Sequence, residues 1–94
     1  MKKRLEANRE SAAKIISLLS RVRGECTDMA AKRRLRALEE KLAIASPSDS
    51  EEIAFIDEEL VKRLTEFAAI AENGVLTTRY LDRMEDLITR RRTL

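Results

Sequence analysis

The chain has 94 residues, 44% apolar, 38% charged and 3% aromatic, with two Gly, one Pro and no His. That is one domain at most, long enough to bury a modest core without staples and too apolar to remain disordered. The lack of His removes the commonest general base and metal ligand, and no run of 18 apolar residues offers a membrane span.

Met1-Lys2-Lys3-Arg4 looks like the start of a signal segment, but no apolar stretch follows it, so a cytoplasmic protein is expected. The single Cys26 excludes an internal disulfide and fits a reducing compartment. Small size and the lack of long linkers suit a bacterial protein. The net charge of +2 hides an asymmetry: residues 1–47 carry 12 basic and 6 acidic side chains (+6), residues 48–94 carry 7 and 11 (−4).

Good helix formers dominate. The first helix is predicted over 3–23, with Leu5, Ala12, Ile15, Ile16, Leu19 and Val22 on one face and Cys26 and Met29 extending it. Gly24 then interrupts, and Thr27 or Asp28 serves as the next N-cap. The second apolar set, Ala31, Leu35, Leu38 and Leu42, belongs to a helix over 28–45. On one unbroken helix it would lie about 140° or more from the Ile15–Leu19 stripe, so a break at Gly24 is favoured. The alternative is a single long first helix, giving a three-helix chain that dimerises.

Pro47 ends the second helix. Asp49 followed by Glu52 reads as a variant capping box for a third helix over 50–73. Its Ile53, Ile56, Leu60, Leu64, Phe67 and Ala71 recur at intervals of 3, 4, 4, 3 and 4, one face at about 100° per residue. Val61 and Ala68 widen it. Asn73-Gly74 reads as a stop, with Gly74 left-handed and Val75 touching Ile70. The fourth helix is predicted over 77–92, capped by Thr77 or Thr78, with Tyr80, Leu81, Met84, Leu87 and Ile88 inward and Arg90, Arg91 and Arg92 facing the negative end of its dipole. Short loops imply antiparallel neighbours, hence an all-α, up-down-up-down four-helix bundle in one domain.

No catalytic set stands out. Cys26 continues an apolar stripe and reads as a small buried side chain. No phosphate loop, metal set or cofactor motif is present. Asp57, Glu58 and Glu59, and Asp82, Glu85 and Asp86, read as solvated faces. The run Leu76-Thr77-Thr78-Arg79-Tyr80-Leu81-Asp82-Arg83-Met84-Glu85-Asp86-Leu87-Ile88 is similar to the last helix of all-helical chorismate mutases, and Ile15-Ile16-Ser17-Leu18-Leu19 resembles part of their first. The resemblance implies cations on the first helix that grip a dicarboxylate. Those positions fall mostly on Leu5 and Val22, with Arg33 alone suitable, and Asp49-Ser50-Glu51-Glu52 stands in place of the family's Asp-x-x-Arg-Glu. A mutase is therefore the remote alternative.

Two expectations for binding remain. Lys32, Arg33, Arg34 and Arg36, with Arg90, Arg91 and Arg92, offer cations to nucleic-acid phosphates, but no aromatics interleave with them for base stacking. Phe55 lies about 160–200° around its helix from Ile53, Leu64 and Ala71, among Glu59, Lys62 and Glu66. It either packs beneath the Pro47 linker or marks a surface for a protein partner or a second copy. The favoured reading is a non-catalytic protein–protein interaction module, self-associating or bound to a larger partner, with nucleic-acid binding as the alternative. Neither metal nor membrane is expected.

Overall fold

The computed structural model describes residues 2–70 and 74–94, with side chains for 3–69 and 78–94. Its helices are α1 (Lys2–Glu25), α2 (Met29–Ala43), α3 (Glu52–Ile70) and α4 (Gly74–Arg92). They form an all-α bundle of 41 × 19 × 18 Å. The four-helix expectation holds, and residues 3–45 are two helices, not one.

The break falls later than Gly24. α1 runs through Gly24 to Glu25, and the turn is made by Cys26, Thr27 and Asp28. Gly24 has no positive φ, so it keeps helical geometry at a modest entropic cost. Asp28 ends the turn as the N-cap: its carboxylate accepts from the backbone N–H of Ala30 and Ala31, both at 3.3 Å.

α3 is capped by a different residue from the one expected. The Ser50 hydroxyl, not Asp49, accepts from the Glu52 N–H at 3.3 Å. α4 starts at Gly74, so Thr77 and Thr78 lie inside it, and Gly74 is helical instead of a left-handed stop. Ala71 and Asn73 lie outside the described residues, as do the side chains of the expected Ile70–Val75 contact.

Most of the predicted stripes become the core, but Ala68 is exposed and Leu5, Ala12, Ile16 and Val61 are half-buried. Ile15, Leu19, Val22 and Cys26 of the first hairpin arm meet Ala31, Leu35, Leu38 and Leu42 of α2. Ile53, Ile56, Leu60, Leu64 and Phe67 of α3 and Leu81, Met84, Leu87 and Ile88 of α4 are also buried. Met29 does not extend the first stripe; it is 61% exposed, because α1 has ended and the chain has turned before it.

Helix order differs from the simple expectation. α1 packs on α2 and α3, and α4 packs on α3 and α2, whereas the backbones of α1/α4 and of α2/α3 stand apart across the bundle. The bundle therefore reads α1, α2, α4, α3 around its axis. The chain reverses at each connection, but of the four pairs packed side by side only α1/α2 and α3/α4 are antiparallel. α1 and α3 run in the same direction, with Ala7 and Ser11 near Ala54 and Asp57 and Leu18 and Val22 near Leu64 and Ala68. The segment 44–51 crosses the end of the bundle from α2 to the diagonal corner.

Candidate functional site: the outer face of α3

Phe55 does not lie under the linker. It is 72% exposed, and the residue that shares a cleft with Pro47 is Ile53. Two residues apart, Ile53 and Phe55 are turned about 200° from each other by helical geometry, so burying one exposes the other. Phe55, Glu59, Lys62 and Glu66 follow at intervals of 4, 3 and 4 and form one stripe along the outside of α3.

Part of this stripe is fixed by ion pairs. Arg63 lies 2.8 Å from Glu59 and 3.5 Å from Glu66. The Tyr80 hydroxyl of α4 donates to Glu66 at 2.7 Å. That bond to a carboxylate, helped by desolvation, raises the Tyr80 pKa above its ordinary value. Lys62 is exposed and makes no ion pair among the described residues. Glu51, Glu52 and Glu58 are exposed beside the stripe. Five carboxylates (Glu51, Glu52, Glu58, Glu59, Glu66) against Lys62 and Arg63 leave a net −3 around Phe55.

The basic residues are divided among different roles. Arg34 is turned toward α4, donating to Asp82 at 2.6 Å and Glu85 at 3.2 Å; these bonds raise its pKa, the one to Asp82 most. Asp82 and Glu85 are thus partners of α2, not simply a solvated face. Arg36 pairs loosely with Glu40 at 3.7 Å. Lys32 is half-buried and Arg33 exposed on α2. Arg90 and Arg92 are exposed.

Arg91 and Asp57 overturn the surface expectation for both. They are 6% and 3% exposed, joined by bonds of 2.7 and 3.2 Å from the guanidinium to the two carboxylate oxygens. Arg91 also donates to the Asn8 carbonyl at 3.0 Å. The buried Asn8 amide in turn donates to the carbonyls of Ser48 and Ser50, at 2.9 and 3.0 Å. Ser48 accepts from the Ser50 N–H and donates to the Leu94 carbonyl. Five segments (α1, the linker, α3, α4 and residue 94) are tied at one end of the bundle, and no buried side-chain N or O atom among the described residues lacks a partner. This cluster holds the fold; its donors and acceptors are used on each other.

A cleft of about 510 Å³ lies over that end, walled by Leu5, Pro47, Ile53 and Leu94 with Arg91 and Arg92 at its side. Among the described residues no group of three His, Cys, Asp or Glu is placed to hold a metal ion, and no helix is long and apolar enough to cross a membrane. Cys26 is buried and unbonded to another cysteine. Of the positions weighed against the mutase pattern, Val22 is buried, Leu5 half-buried and Arg33 exposed on α2. No protein-family model, curated protein or solved structure matches the chain.

Proposed function

We propose that this protein is a non-catalytic helical interaction module whose contact surface is the Phe55, Glu59, Lys62, Glu66 face of α3. The observation that carries the reading is Phe55, 72% exposed on a helix whose Ile53, Ile56, Leu60, Leu64 and Phe67 are all buried. Leaving such a side chain in water forgoes about 1.5–3 kcal/mol relative to burying it. The fold does not recover that; a partner would. Aromatic side chains are enriched at the cores of protein interfaces, and polar residues form the rim around them. A protein partner, a second copy or both would meet this face, in a cytoplasmic setting that suits the free thiol.

Nucleic-acid binding draws less support. Of the seven cations that would serve it, Arg34 is held by two carboxylates and Arg91 is buried. Retardation of DNA or RNA that falls steeply with salt would favour it.

The test is affinity capture from the native host with wild-type and Phe55→Ser bait, read by mass spectrometry. Proteins retained by the wild type and lost from the variant, at equal unfolding midpoints of the two baits, are expected. An identical captured set from both baits overturns the reading.

A further inference from the structure

The α3 face has an opposite number on the same molecule. Met29, Arg33, Arg36, Glu40 and Ile44 follow at intervals of 4, 3, 4 and 4, a second stripe along the outside of α2 and its C-cap. Its ends are apolar and open, Met29 at 61% and Ile44 at 74% exposure. With Lys32 beside it, three cations against Glu40 give this face +2. At 1.5 Å per residue the α2 stripe spans about 22 Å and the Phe55–Glu66 stripe about 16 Å, so the shorter fits within the longer.

We infer that the occupant of the Phe55 face is a second copy of this chain, docked through the outer face of its α2, in a head-to-tail contact. The inference rests on the reading of Phe55 as a contact residue and adds the partner. Charge decides between the two ways in which copies can meet. A two-fold contact of Phe55 face on Phe55 face sets −3 against −3. A contact of α3 on α2 sets −3 against +2 and places Phe55 where Ile44 or Met29 can cover it. Complementary potentials of this kind fix which surfaces pair.

The bundle order sets the form of assembly. α2 and α3 stand at diagonal corners of the bundle, so their outer faces point away from each other. A copy that donates its α3 face leaves its α2 face free for another. Such a heterologous contact does not close in a dimer but adds copies in series.

Sedimentation velocity over a rising concentration series tests this. At low salt the wild-type average mass should climb past that of a dimer of the 10.8 kDa chain, and it should fall as salt screens the contact over about 10 Å. Phe55→Ser and the double variant Arg33→Glu, Arg36→Glu should each remain monomeric. Both change exposed positions, and unfolding midpoints like that of the wild type verify that they are folded. Mixed in equal amounts they should form a one-to-one dimer and nothing larger, because each retains the face the other lacks. A wild type that is monomeric throughout, variants that associate as it does, or a mixture that stays monomeric overturns the inference. If the wild type stays monomeric while capture of other proteins still depends on Phe55, the inference falls and the interaction reading stands; if neither self-association nor capture depends on Phe55, both fall.

Discussion

Arg91 sits in a run of three arginines at the end of a helix, a pattern that ordinarily means solvated cations beside a helix dipole. Its burial is decided elsewhere: Asp57 comes from α3, the Asn8 carbonyl from α1, and the linker closes over both. No local spacing announces a pair 34 residues apart, which is why neither residue was legible. Removing one partner strands the other charge in a dry site. Asp57→Ala should therefore cost about 3–5 kcal/mol in urea unfolding, and the apolar pair Asp57→Leu with Arg91→Met should recover most of it. Equal losses in the single and the paired variants would contradict this account. Tyr80 offers a second check, because it is the sole Tyr and there is no Trp. Its phenolate absorbance should titrate above about pH 10, the ordinary value, since the bond to Glu66 raises its pKa. A raised folded pKa means that this bond's stabilisation is fully present below the unfolded pKa and is lost as pH rises through the folded one. Glu66→Ala should move the titration back down.

At the scale of the element, the helices were legible and their ends were not. Apolar residues every three or four positions define a helix over many turns, and that signal survives an error at either end. A boundary rests on one or two side chains, and several candidates compete. Asp49 and Ser50 both offer an N-cap oxygen; Ser50 takes the place because Ser48 already holds its N–H. Gly24 is the residue whose composition suggests a break, yet the helix runs through it and Asp28 caps the next one. The consequence is measurable. A Cβ built on Gly24 meets nothing within 4 Å, and its φ is not positive. Gly24→Ala should thus stabilise the protein by about 0.5–1 kcal/mol, seen as a higher urea midpoint. A loss of stability would mean that the turn needs the glycine.

For the whole molecule, the four-helix bundle followed from the stripes but the order of helices around its axis did not. The eight residues between α2 and α3 reach about 26 Å extended. Helices packed about 8–10 Å apart put both the adjacent and the diagonal corner within that reach, so length does not choose between them. On the diagonal route Asn8 holds the linker by the carbonyls of Ser48 and Ser50. The resulting order sets the basic α1/α2 hairpin beside the acidic α3/α4 hairpin and turns the +6/−4 split of the sequence into two layers. It also leaves Phe55 at an outer corner, where its role as an anchor depends on what arrives from outside. A photoreactive benzoylphenylalanine in place of Phe55, irradiated in extract of the native host, reports directly what touches that position. Discrete cross-linked species from position 55, absent when the same group replaces the exposed Glu10 of α1, are the expected result; position 55 yielding no more adduct than position 10 would contradict the assignment of this face.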